Sequence, residues 1–388
     1  MRLAVLPTTS PATDRRDLMT ELQAVGLRLP SDDAGAPSRR GGAGPSDHKA
    51  VTIDGQTLML PVHTGAAHRS PYSVVTEFDG RHMLEQDGQV IAEITFPDPP
   101  RFYNLQTLDG IPYWKIAVLH SSDVLATTVM QKCIRYQPAE TACQFCAIGQ
   151  SLKADRTIAR KTPEQLAEVA RAAVRLDGVK HMILTTGTPN RTDRGARVLA
   201  ESAFAIKGAI DLPIQAQCEP PDDFAWFDRL KAAGVDALGM HLEAVEPDVR
   251  ARIMPGKAEV PVSEYMRAFR AAVEVFGWGQ VSTYILAGLG DSHDAIVHAA
   301  GQLINIGVYP FVVPFVPISG TALADHPSPN PFFMKALLAD VGAKLFAAGM
   351  KSSDIKAGCG KCGACSSLSQ YEATRPTSTT GRQHAPVL

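Results

Sequence analysis

Residues 124–146 read "VLATTVMQKCIRYQPAETACQFC". The stretch opens on a short, β-branched apolar run, 124–130, of the kind that forms a strand buried on both faces. It then delivers Cys133, Cys143 and Cys146, three of the seven cysteines in the chain. The fold depends on whether this strand begins a repeating pattern, and it does. "TPEQLAEVARAAVRL" (162–176) has Thr at the cap, Pro in the first turn and apolar residues at helical spacing. "VKHMILTTG" (179–187), "LPIQAQ" (212–217), "VDALGMHL" (235–242), "QVSTYILAG" (280–288) and "VYPFVVPFV" (308–316) read as strands. Helical patterns at 194–208, 222–234, 262–277, 294–307 and 331–349 alternate with them.

Strands alternating with helices pair in parallel through right-handed crossovers. Six such units suit a doubly wound sheet or a barrel. No G-x-G-x-x-G follows the first strand, so the dinucleotide-binding fingerprint is absent. The pattern predicts an α/β fold, a partial (β/α)6 TIM-type barrel over 123–350. Chemistry in such a fold gathers at the C-terminal ends of the strands.

Three further segments are expected. Residues 1–50 read as an arm or linker, because 31–50 is rich in Gly, Ser, Pro and Asp. Residues 51–122 read as a small strand-rich region. Its hairpin turns on Asp54-Gly55, and 113–120 is a further strand. Residues 351–388 form a Cys-rich extension.

The chain has 388 residues and a net charge of −2. That balance gives no reason to expect nucleic acid as a partner. No apolar run approaches the ~20 residues of a membrane span, and the first apolar stretch is shorter than the ~7–15 residues of a signal-peptide core. The expectation is a cytoplasmic protein with no membrane partner. Its cysteines there read as metal ligands or catalysts before disulfides.

Three thiolates on one loop can hold three irons of a [4Fe–4S] cluster, leaving the fourth iron open. Zinc is the alternative. It would need a fourth ligand, and the nearest upstream histidine is His120, thirteen residues before Cys133. A structural trio without metal is the third possibility. A second set, "CGKCGACSS", places Cys359, Cys362 and Cys365 after the last helix. Its glycines permit the turns that let thiolates converge. An auxiliary iron–sulfur cluster, a zinc ion or no metal are the readings. Cys218, after the third strand, is either a ligand there or a buried core cysteine.

Together these residues resemble the radical S-adenosylmethionine (SAM) superfamily over roughly residues 100–370. The three-cysteine loop follows the first strand, and an aromatic, Phe145, sits between the last two cysteines in "CQFC". The first gap is nine residues, where the superfamily usually has three. "LATTVMQKC", "CQFCAIGQSL" and "HMILTTGTP" are similar to a branch encoded beside nitrilases in bacterial gene clusters. The resemblance implies a [4Fe–4S] cluster and SAM as cofactors and a small-molecule substrate. It also implies an electron donor such as flavodoxin or ferredoxin.

Residue by residue, it implies SAM contacts at Thr186 and Gly187 in "TTGT" and at Gln217 and Glu219 in "QCEPP". It adds Glu243 and Arg252 in "HLEAVEPDVRARIMPG", as in biotin-synthase-like enzymes, and Ala287 and Gly288 in "LAGLGDS". Each also has a plain structural reading: a strand-to-loop turn, a solvated acid or a surface arginine. The implied function is reductive cleavage of SAM to a 5′-deoxyadenosyl radical that abstracts hydrogen from the substrate. Sulfur insertion or group transfer using the C-terminal cluster is the alternative within enzymes. A non-catalytic metal-binding or redox-sensing protein is the alternative outside them.

Overall fold

The run that opens the pattern is a strand with every residue buried, and five more follow it in parallel. In the computed structural model, which describes residues 14–30 and 46–372, the chain begins with α1 (Arg15–Val25). Then come β1 (His48–Ile53), β2 (Gln56–Pro61), β3 (Tyr72–Thr76), β4 (His82–Gln86) and β5 (Gln89–Thr95). A single turn, α2 (Tyr113–Ile116), leads into β6 (Val118–His120) and β7 (Val124–Thr128). The alternating part continues with α3 (Ile148–Lys153), α4 (Pro163–Asp177), β8 (His181–Thr185), α5 (Ala196–Ala209) and β9 (Ile214–Gln217). Next are α6 (Ala225–Ala232), β10 (Ala237–Gly239), α7 (Pro247–Ile253), α8 (Pro255–Ala258) and α9 (Val262–Phe276). It ends in β11 (Val281–Ala287), α10 (His293–Asn305), β12 (Val308–Pro314), α11 (Pro331–Ala347) and the one-turn α12 (Cys359–Cys362).

The larger sheet has the order β12-β11-β10-β9-β8-β7-β6. Its sequential order means each crossover moves one strand along. The two ends do not pair, so the sheet is a curled half-barrel. β12 is an edge strand, which is why it tolerates Pro310 and Pro314. β6 is antiparallel to β7, with His120 opposite Val124. It therefore runs back towards the end of the sheet where the parallel strands begin.

Local signals set the helices. Thr162 caps α4 in a reciprocal capping box with Gln165, Pro163 opens the helix, and Gly178 closes it in the left-handed region. Every residue of β7, β9 and β12 is buried, as expected when helices cover one face and a filled barrel the other.

A separate five-stranded antiparallel sheet, ordered β2-β1-β5-β4-β3, has its own core of Met19, Leu22, Val51, Leu58, Leu60 and Tyr72. The expected hairpin turn is present, with both Asp54 and Gly55 at positive φ. Two expectations need correction. Residues 15–25, placed in the arm, form α1; Asp14 caps it, and Met19 and Leu22 bury its apolar side against the small sheet. Of 113–120, only the last three residues are strand; Tyr113 and Ile116 are buried at helical spacing in α2. Residues 31–45 of the expected linker and the tail from 373 lie outside the described residues.

Candidate metal centres and the lumen between them

At the C-terminal ends of the strands the cysteine loop is laced to its neighbour. Val129 N donates to Thr185 O at 2.8 Å, Gly187 N to Met130 O at 2.9 Å and Ile134 N to Thr188 O at 2.9 Å. The loop passes so close that a Cβ on Gly187 would sit 2.2 Å from Lys132 O. That close approach explains this glycine without any ligand.

Cys133, Cys143 and Cys146 line one wall of a cavity of about 380 Å³ at this mouth. None is in a disulfide. Burial pushes the Cys146 thiol up to about 12 and the Cys143 thiol well above its usual value, the latter helped by nearby Glu243. Thiols so desolvated stay protonated until a cation replaces the proton, which is how a metal or cluster takes them. Among the described residues no three His, Cys, Asp or Glu side chains meet around one metal ion. A cluster does not ask for that, because each thiolate holds its own iron. On the same cavity wall Gln131 keeps a buried Oε1 without a hydrogen-bond partner, its amide nitrogen being spent on Ile148 O and Ser151 Oγ. Three thiols on one wall, two of them desolvated, and an orphaned acceptor fit a cluster with a bound ligand on its open iron.

Two buried ion pairs frame this cavity. Lys257 Nζ lies 2.7 Å from Glu243 Oε2. Burial opposes the lysine's charge, but Glu243, Tyr265, Cys143 and Glu219 hold its pKa above the ordinary range. Arg135 grips Glu219 with two bonds, Nε to Oε1 at 2.9 Å and Nη2 to Oε2 at 3.0 Å, and Thr188 Oγ1 donates to Oε1 at 2.5 Å. Burial pushes the Glu219 carboxyl up, yet Lys257, Arg135 and Thr188 together hold it below its ordinary value. Glu243 stands at φ 65°, in the left-handed region. A non-glycine residue there costs about 1–3 kcal/mol and is characteristic of functional sites.

The cavity continues into the barrel. Phe145, Thr185, Gln217, His241, Glu243 and Ile318 line both it and a second chamber of about 280 Å³. His241 accepts from Tyr284 N through Nδ1 at 3.2 Å. Burial, then Lys257, lowers its pKa to about 3, so the ring is neutral with its proton on Nε2. The small sheet's region contributes Gln23, His48 and Met59 to the chamber wall.

The C-terminal cysteines close the other end. Gly358 N donates to His181 Nδ1 at the start of β8, and Lys356 N to Gln280 Oε1 just before β11. The segment therefore plugs the end where the parallel strands begin. Cys359 and Cys365 line the chamber, while Cys362 packs on Val124, Ala126 and Ile183.

The residues singled out in sequence fall into three groups. Cys133, Cys143, Cys146, Phe145, Thr186, Gly187 and Glu243 share the mouth cavity. Gln217 and Glu219 also line it but are committed elsewhere. Gln217 Nε2 donates to Gln215 Oε1 at 2.7 Å and to Cys359 Sγ at 3.1 Å, and Glu219 is held by Arg135. Arg252, Ala287 and Gly288 line neither cavity. Arg252 Nη2 reaches Leu289 O at 3.4 Å, and Gly288 packs on Pro329.

Cys218 lines the mouth cavity, away from the C-terminal set. Arg135, Lys257 and His241 were not singled out. Pro255-Gly256 before Lys257 was the legible signal: a Cβ on Gly256 would sit 2.5 Å from Thr141 O, so this turn docks on the cysteine loop.

Comparison with known proteins finds a family model that matches part of the chain. Residues 139–303 match the sequence model of the radical SAM superfamily. Bacteriochlorophyllide c C-7(1)-hydroxylase of Chlorobaculum limnaeum is 34% identical over 122 residues, 31% of this chain and 30% of that protein. The chain thus matches under a third of that relative's length. Among solved structures, methylornithine synthase (PylB) is 18% identical, with 59% of this chain and 65% of that one covered and a TM-score of 0.44. A radical SAM methyltransferase from Sphaerobacter thermophilus is 16% identical, covering 80% and 82%, with a TM-score of 0.45.

Proposed function

We propose that this chain, an enzyme carrying a radical SAM domain, uses the mouth cavity to hold a [4Fe–4S] cluster with SAM and the chamber beneath it to hold a small substrate. The observation that carries the reading is the continuity of the two spaces. Three cysteines line one, and six residues are shared with the other. When bound, the reduced cluster would give one electron to the sulfonium of SAM, so that its C–S bond breaks to methionine and a 5′-deoxyadenosyl radical able to take a hydrogen atom from the substrate.

The chain's own residues do the rest. Cys133, Cys143 and Cys146 would ligate three irons. Lys257 and Glu243 offer a cation and an anion side by side, which suits the carboxylate and ammonium of an amino acid. Thr186 and Gln131 add polar contacts on the same wall. Arg135 and Glu219 position the cysteine loop. Neutral His241 lies where the two spaces meet and can donate a hydrogen bond without adding charge. Phe145 and the apolar chamber wall exclude water from the radical's path.

A soluble donor such as a flavodoxin or ferredoxin would supply the electron, in a reducing cytoplasm. The quoted motifs support the nitrilase-cluster-associated branch. The C-terminal trio supports a second cluster, and sulfur insertion from it is the second reading because Cys359 and Cys365 face the chamber. Anaerobically reconstituted, dithionite-reduced protein should release 5′-deoxyadenosine from SAM, and Cys143→Ala should not. A fully loaded protein that releases none would overturn the proposal. Loss of cluster sulfide during turnover would favour sulfur insertion.

A further inference from the structure

The C-terminal cysteines do not stand alone. Cys365 Sγ lies 3.6 Å from His120 Nε2. His120 is buried and ends β6, which is antiparallel to β7, so it arrives at the floor of the half-barrel and not at its mouth. Cys359 sits in a nest of donors: Gln217 Nε2 at 3.1 Å, and the Tyr284 hydroxyl. Its own backbone N–H donates to Gln215 Oε1 at 3.2 Å. Gln215 is in turn fixed by donating to Ser282 Oγ at 3.0 Å. Ser121, the residue after His120, hydrogen-bonds to Cys362. The turn between β6 and β7 and the C-terminal loop thus face each other, with three thiols and one imidazole between them.

We propose that His120 is the fourth protein ligand of a C-terminal iron–sulfur cluster held by Cys359, Cys362 and Cys365. The inference rests on the second-cluster reading above and deepens it by giving the cluster a role. Four protein ligands leave no iron open for substrate. Such a cluster offers substrate no iron to coordinate, and it forms the chamber floor as an electron relay. Imidazole in place of a thiolate raises a cluster's potential, as in Rieske centres. The N–H···S bond from Gln217 acts in the same direction by stabilising added negative charge on the sulfurs.

The test uses the full chain with Cys133, Cys143 and Cys146 changed to Ala, reconstituted anaerobically with ferrous iron and sulfide. About four irons per chain should remain, against about eight in the wild type. Pulsed electron paramagnetic resonance of the reduced cluster should show nitrogen hyperfine coupling that changes isotope pattern when the protein is labelled with ¹⁵N-histidine. In the same background His120→Cys offers a replacement ligand. It should keep the four irons, lose the nitrogen coupling and shift the midpoint potential downwards. Nitrogen coupling that persists in His120→Cys, or is absent beforehand, would remove His120 from the site while leaving the second cluster standing. A cysteine-loop triple variant that holds one zinc, or no metal while the wild type holds about four irons, would remove the second cluster itself.

Discussion

Lys257 and Glu243 are a buried pair, so one substitution tests both stability and the proposed SAM contact. Removing one member strands the other charge in low dielectric, which costs about 3–5 kcal/mol. Lys257→Met should therefore lower the urea-unfolding free energy by that order and weaken SAM retention in equilibrium dialysis. Adding Glu243→Gln should restore much of the stability but not the SAM binding. If the double variant regained both, the pair would be structural only.

Glu219 makes a pH prediction. Its folded pKa is depressed, so it contributes stability above the ordinary carboxylate value of 4.5, and that contribution is lost as pH falls through the folded value. Unfolding midpoints measured from pH 7 down to pH 3 should fall less steeply in Glu219→Gln than in wild type, from a lower starting point. Parallel curves would mean that the Arg135 clamp carries no proton linkage. Neither clamp was legible in the sequence. Arg135 and Glu219 are 84 residues apart, and only the lacing of adjacent strand ends brings them together. In sequence Glu219 reads as a ligand contact because its position after a strand is visible there and its partner is not.

Elements were more legible than side chains. The six parallel strands and their helices announce themselves through periodicity, caps and turn residues, and all fall within a few residues of the observed bounds. The errors come where tertiary packing overrules local pattern. "YWKIAVLH" looks like a strand, but Pro112 starts a turn and the buried pair Tyr113 and Ile116 has helical spacing. In sequence His120 is the nearest histidine upstream of Cys133, thirteen residues away. One antiparallel strand sends it to the opposite end of the sheet.

The β7 and β8 loops approach each other closely at the site. Gly187→Ala would push a methyl into the backbone carbonyl of Lys132. It should cost about 1–3 kcal/mol in thermal or urea unfolding and lower the iron retained after reconstitution. A stable variant with full iron would show that the loop can yield.

At the scale of the whole molecule the half-barrel is closed by three separate parts: the cysteine loop at the mouth, the C-terminal loop at the floor and the small antiparallel sheet at the side. Met59 N donates to Ala364 O at 2.8 Å and Gln23 Nε2 to the same oxygen at 3.0 Å, so floor and side are fastened to each other. A chain ending at residue 350 should lose the floor and with it hydrogen-exchange protection in β2, while β7 to β9 keep theirs. Equal protection in both proteins would show that the small sheet stands without this support.

Thr20 Oγ1 is 2.7 Å from Ser367 Oγ, across 347 residues of chain. During synthesis, which adds about 5–20 residues per second, α1 waits tens of seconds for that partner. Its packing on the small sheet can form long before that tie. Any metal destined for the floor can be enclosed only after the strands have assembled, whereas the three cysteines of the mouth loop are already made before β8.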